Sequence, residues 1–188
     1  MADGTLKVGT ITTSSGSGTI TLGQSGETIS VPSGATFSAT AGTMSGQNYP
    51  AFQASLNAGQ NISNDTVTLG QYGIEILDTD GYYDSTTNYR FTPLVAGKYI
   101  IGLVQRTNNF NASRILAAIR KNGNNAIQLE MGSGGNYDTL DGSAIVTLNG
   151  STDYVDCALY QNSGSTQTFQ GGSGSEWGAL FFGYRIGA

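Results

Sequence analysis

A chain of 188 residues, 38% of them apolar, can bury one ordinary core with some length to spare, which predicts one globular domain with an appendage rather than two full domains. Charged residues make up 11% and the net charge is −5, so there is no basic face to hold a phosphate backbone, which argues against nucleic acid as a partner. With no histidine and one cysteine, Cys157, the chain has no Ser-His-Asp or Cys-His catalysis, no His-bearing zinc site and no internal disulfide.

The opening MADGTLKVGT lacks a basic stretch followed by an apolar run, and no apolar run of about 18 residues occurs anywhere. The expectation is a soluble protein made in the cytoplasm, with no membrane insertion. The Asn-x-Ser matches at Asn61, Asn111 and Asn149 then carry no glycosylation meaning.

From Gly9 the chain repeats itself. GTIT, GTIT, ETIS and ATFS place Ile11, Ile20, Ile29 and Phe37 at intervals of nine, nine and eight residues, each flanked by Thr or Ser and separated by Gly-rich pieces. Such strand-sized pieces cannot bury a lone apolar side chain, and about 45 residues are too few for an independent core. Three copies running side by side about a threefold axis would turn these four side chains inward and leave the hydroxyls in water. Residues 1–46 are therefore read as a short-strand trimeric stalk, with Ile11, Ile20, Ile29 and Phe37 as its core. A flexible Gly/Ser linker shares the composition but has no reason to space β-branched residues regularly. ATAGTMSGQNYP (39–50) is the neck, and the head domain spans 47–188.

Glycine at 28 residues marks many turns, and ten tyrosines argue for a packed all-β head rather than disorder. AFQASLN (51–57) alternates Phe52, Ala54 and Leu56, and GIEIL (73–77) places Ile74 and Ile76 on one face. YRF (89–91) stops at Thr92-Pro93, where the ladder would lose a donor. KYIIGLVQ (98–105), after the Ala96-Gly97 turn, has the β-branched and aromatic content of a central strand. SRILAAIRKNG (113–123) has helix-favouring residues, but Asn122-Gly123 before NNAIQLEM is a hairpin signal, so both flanks are read as strands. SAIVTL (143–148), YVDCALY (154–160) and GALFFGYRI (178–186) complete the set. The last is apolar nearly throughout, which predicts a strand covered on both faces, one of them at a subunit contact in a trimer.

Chemistry-bearing clusters are sparse. Asp78, Asp80, Asp84, Asp138 and Asp141 match no calcium-loop spacing and read as solvated turn residues, so neither a metal nor any other cofactor is expected. Nothing sets two carboxylates at a fixed distance for acid/base work, and Cys157 in YVDCALY reads as a small core residue, so the chain is not read as an enzyme. Tyr99, Tyr154 and Phe181 lie within strands and read as core. Tyr137 with Asp138, in GSGGNYDTLDG, and Phe169 with Gln170 and Trp177, in QNSGSTQTFQGGSGSEW, stand in polar loops with nothing local to bury the rings. These five are the candidate binding residues, with a surface glycan as their fitting ligand; the alternative for Tyr137 and Phe169 is packing over the end of the barrel.

The order of these segments resembles the globular heads of the complement and tumour necrosis factor superfamily. The resemblance is carried by Phe91, Pro93, Gly97 and Tyr99, by Tyr83-Asp84 just upstream, and by the Lys121-Asn122-Gly123 turn; it covers about residues 50–188. Pro93 stands one position early, LNGSTDYV has altered spacing, and Trp177-Gly178 replaces the usual Ser-Gly. What the resemblance implies is a ten-stranded jelly roll packed as a homotrimer. Joined to a repetitive N-terminal stalk, the whole looks like virion proteins of tailed bacteriophages. That implies a trimeric head-fibre or capsid decoration protein on the outer surface of the virion, held by other virion proteins through its N-terminal segment, with capsid, tail and baseplate all open as the attachment point. The alternative is a receptor-binding tail-fibre tip recognising host surface glycans.

Overall fold

The computed structural model describes residues 11, 19–22, 24–36, 49–135, 137–172 and 178–187 of the chain. Contacts divide the chain into two units, Met1–Gly46 and Gln47–Ala188. The described residues of the first form no strand or helix, but a turn recurs in them. Glu27 N donates to Gln24 O and Ala35 N to Pro32 O, both at 3.0 Å, with Gly26 at φ 90° and Gly34 at φ 85°. A left-handed third turn residue demands glycine, so each turn is a Ser-Gly pair. Ile20 and Leu22 precede the first turn; Ile29 and Val31 stand between the two. All four are exposed in the single chain, as is Ile11. Phe37 lies outside the described residues.

The second unit is a two-layer sandwich. Its strands are β1 (Ala51–Ser55), β2 (Gln60–Ile62), β3 (Thr68–Leu69), β4 (Ile74–Asp78), β5 (Tyr83–Asp84), β6 (Arg90–Phe91), β7 (Gly97–Thr107), β8 (Asn111–Lys121), β9 (Asn124–Gly134), β10 (Thr139–Leu148), β11 (Val155–Gln161), β12 (Gln167–Gln170) and β13 (Ala179–Gly187). Since β3, β5 and β6 are two residues each, ten of the thirteen strands described have three residues or more. One sheet runs β2-β12-β7-β13-β1-β4 with β10 also on β7; the other runs β5-β6-β11-β8-β9 with β3 beside β11. Every pairing is antiparallel, and the arrangement is a jelly roll.

The period-2 pattern of each long strand decides which side chains meet between the sheets. On β7, Tyr99, Ile101 and Leu103 point inward and are fully buried, while Lys98, Ile100 and Val104 point out. Facing them are Ile115, Ala117 and Ile119 of β8 and Val155, Cys157 and Leu159 of β11. Phe52 sits at the centre of an aromatic group: its ring stacks on Phe91 at 4.5 Å and Tyr83 at 5.0 Å and meets Phe181 edge-on at 5.0 Å. The buried polar atoms among these rings are paired, Tyr72 Oη donating to Gln105 Oε1 at 2.8 Å and Tyr83 Oη to Tyr72 O at 2.9 Å.

β8 and β9 form the hairpin that Asn122-Gly123 demands, with φ 51° and 78° at its two turn residues. Each strand is eleven residues long, so the chain crosses the whole sandwich twice. This turn lies at the end of the head that holds Leu148 and Asp153, whereas the β9–β10 connection lies at the opposite end, beside Thr107.

Candidate functional site

Two features of the head can engage a partner: the end around Thr107, and the outer face of the seven-stranded sheet. At the first, Asp138 and Thr107 tie the β9–β10 connection to the end of β7. Thr107 N donates to Asp138 O at 2.8 Å, and Asp138 N donates to Thr107 Oγ1 at 3.0 Å. Phe169 pairs with the same Thr107 from β12. Ala51 and Gly187 sit at the other end, Ala51 opposite Tyr184 and Gly187 opposite Lys98. The Tyr137 and Phe169 segments therefore share the end of the head away from Ala51 and Gly187.

Their side chains behave differently. Tyr137 is 50% exposed, with the Arg106 guanidinium 4.5 Å from its ring centroid, and so presents an aromatic face braced by a cation. Phe169, expected to offer a second contact, is fully buried with its ring 5.8 Å from that of Phe110. That expectation is corrected: a polar Gly/Ser loop supplied no local cover, but Phe110, distant in sequence, does. Asp138 turns its carboxylate inward, accepting from Ser133 Oγ at 2.7 Å, and Gln170 O accepts from Gln105 Nε2 at 2.9 Å. Both brace the loop. Trp177 lies outside the described residues. Tyr154, read as core, is only half-buried, lying under Arg90 at 4.4 Å.

Asp78 and Asp84 of the loose acidic cluster are used up within their own turns. Asp78 accepts from the backbone N of Asp80, Gly81, Tyr82 and Tyr83, at 2.8 to 3.3 Å. Asp84 accepts from Thr86 N, Thr87 N and Asn88 N, and from Asn88 Nδ2 at 2.7 Å. The Thr87 and Thr86 amides hold the Asp84 carboxyl well below the usual carboxylate range. Among the described residues, no group of three or more potential ligands stands close enough to hold a metal ion.

Cys157 is buried between the sheets, and burial pushes its thiol up to about 12. A protonated, enclosed thiol is a poor nucleophile. The native protein should therefore leave a disulfide thiol reagent uncleaved at neutral pH, and release one equivalent per chain once denatured. Reaction of the native chain at the rate of free cysteine would contradict this.

The second feature was legible in part from the apolar run of the last strand. Ala179, Phe181 and Gly183 of β13 face the core, and Leu180, Phe182 and Tyr184 face outward. Register sets Leu180 beside Val104, Phe182 beside Gly102 and Tyr184 beside Ile100; on the far side of β7, Ile145 also stands beside Ile100. The Phe182 ring lies across Gly102, where an added Cβ would come within 2.2 Å of it. A glycine mid-strand is the room this ring needs. Ile145 at 65% and Tyr184 at 47% are open to solvent in the single chain, so this face is apolar and uncovered. Contiguous apolar surface of this kind marks an association site.

No family model and no curated protein matches the sequence. Solved structures do match the fold. The globular domain of zebrafish complement 1qA protein is 17% identical with a TM-score of 0.51, covering 73% of this chain and 97% of that one. Murine APRIL at pH 8.5 is 9% identical with a TM-score of 0.55, covering 74% of this chain and 100% of that one. The head thus shares its jelly-roll fold with these domains. The same fold extends to the vertex protein P5 of phage PRD1, which is 12% identical with a TM-score of 0.54, covering 73% of this chain and 96% of that one.

Proposed function

We propose that the chain is a structural protein of a phage virion, a homotrimer whose residues 1–46 form a stalk that attaches to other virion proteins and whose head, 47–188, projects from the outer surface as a head-fibre or capsid decoration. The observation that carries the reading is the uncovered apolar face of β13, β7 and β10. A monomer would leave Ile145 and Tyr184 in water and Ile100, Leu180 and Phe182 only half-buried, whereas packing about a threefold axis covers them. The shared fold with a phage vertex protein favours a virion among the settings in which such heads occur. In the stalk, Ile11, Ile20, Ile29 and Phe37 would face the same axis, with the Ser-Gly turns setting the repeat. The work is done by binding through three linked heads, without covalent chemistry.

Light scattering on the purified full-length protein tests the assembly. The expected mass is three times 19.5 kDa. A monomer of 19.5 kDa at micromolar concentration would overturn the trimer and the stalk together. A second reading, a tail-fibre tip that recognises host surface glycans, draws on Tyr137, whose exposed ring stands at the end of the head away from Ala51. In that reading particles carrying Tyr137→Ala adsorb more weakly to cells, while in the decoration reading adsorption is unchanged.

A further inference from the structure

The largest unexplained backbone feature of the head is Tyr89, at φ 48°. Among the described residues, the other non-glycine positions with positive φ are Asp65, Asn109 and Asn122, types that tolerate the left-handed region through local hydrogen bonds. A tyrosine does not, and such strain persists only where the surroundings impose it. Here the surroundings are the Asp84 turn: with one carboxylate accepting from three consecutive backbone amides, Thr86 to Asn88, the segment leading into Tyr89 is fixed. The constraint has a visible result. The Tyr89 ring lies over Gly73, 3.5 Å from where a Cβ would stand, and forms one wall of a cleft of about 430 Å³.

Three connections converge on this cleft, at the side of the sandwich bounded by β4 and β5. Leu56 and Asn57 come from the β1–β2 connection, Gln71 from β3–β4, Ser85 and Tyr89 from β5–β6, and Ile74 begins β4. No charged residue lines it. The side chains of Asn57, Gln71, Ser85 and Tyr89 make no hydrogen bond within the described structure, so two amides and two hydroxyls are open for a ligand. Gln60, by contrast, is consumed in the scaffold, donating to Leu69 O at 2.7 Å and accepting from Gln71 N at 2.8 Å, which fixes the backbone that carries Gln71. An uncharged cleft with an aromatic wall, the half-buried Ile74 side chain and several open polar groups fits a ligand that is itself uncharged, hydroxyl-rich and apolar on its ring faces.

We infer that this cleft is a binding site for a neutral hexopyranose, with the Tyr89 ring against one face of the sugar and Asn57, Gln71 and Ser85 on its hydroxyls. The site lies within the head alone and is independent of whether the chain belongs to a virion. It lies toward the same end of the head as Tyr137, on the β4 side, and shares no lining residue with the Tyr137 segment.

The test is a titration of the full-length protein followed by NMR, with the methyl glycosides of glucose, galactose and mannose as probes and N-acetylneuraminic acid as the charged control. At least one neutral glycoside should give saturable shifts of the Asn57 and Gln71 side-chain amides, with a dissociation constant on the order of 1 mM. Tyr89→Gly keeps a residue that accepts the left-handed backbone and removes the side chain with its ring, so it should fold as well as the parent and bind about tenfold more weakly, a factor expected for one lost aromatic contact. Tyr89→Phe, which keeps the ring, should retain most of the affinity. No saturable shift from any neutral glycoside up to about 50 mM would overturn the inference, that range covering the weakest useful single-site binding. So would unchanged affinity in Tyr89→Gly, or tighter binding of the charged control.

Discussion

Phe182→Asp should yield a folded head that no longer associates. The ring lies on the outer face of the sheet, so the intersheet core of Phe52, Ile101 and Leu103 does not depend on it. In the proposed trimer the substitution places a carboxylate from each chain against an apolar neighbour, and an unpaired charge in such a setting costs several kcal/mol per site. Mass should fall from three times 19.5 kDa to 19.5 kDa at low micromolar concentration, with the circular dichroism of the β head unchanged. Phe182→Leu, apolar and smaller, should remain trimeric. Retention of the trimer by the Asp variant would mean that another surface makes the contact.

Phe52→Ala should have the largest effect on the fold itself. The side chain is 2% exposed and its ring touches those of Tyr83, Phe91 and Phe181, which belong to both sheets. Removing a buried Phe costs about 3–5 kcal/mol through lost transfer and the cavity left behind. Domains of this kind hold about 5–15 kcal/mol in total, so the variant should be marginal. Equilibrium denaturation at matched protein concentration reads the loss, because assembly couples stability to concentration. A loss below about 1 kcal/mol would show that the sandwich closes over the gap, contrary to the close packing of the rings.

What the sequence revealed depended on how local the determining interactions are. The long strands were legible because alternation and turn chemistry lie within a few residues: Asn122-Gly123 settled SRILAAIRK as a strand against its helix-favouring composition, and both turn residues do adopt positive φ. The short strands β2 and β12 were not, because Gln60–Ile62 and Gln167–Gln170 are ordered by each other across about a hundred residues of chain. The same distance hid the burial of Phe169 beneath Phe110. The long connection from Asn122 to Gly142 spans the head from end to end, its β9–β10 loop lying beside Thr107. The hairpin turn lies at the other end, because β9 is a full-length strand rather than a short excursion. The cleft at Tyr89 left almost no trace in the sequence. YYDSTTNYRF shows the Asp-Ser-Thr turn chemistry, but nothing in it signals a left-handed tyrosine facing a loop from β3–β4.

The uncovered outer face of the sheet and the exposed apolar pairs of the N-terminal unit, Ile20 with Leu22 and Ile29 with Val31, make the same physical demand. Each leaves apolar side chains in water that copies of the chain can cover, and a threefold assembly meets both demands with one symmetry. That assembly is proposed to be carried on a phage particle, and mass spectrometry of density-purified particles from a lysate that contains this chain tests this most directly. The account predicts peptides from this chain in the particles, at a copy number divisible by three. Abundant peptides in the infected-cell lysate with none in the particles would contradict it.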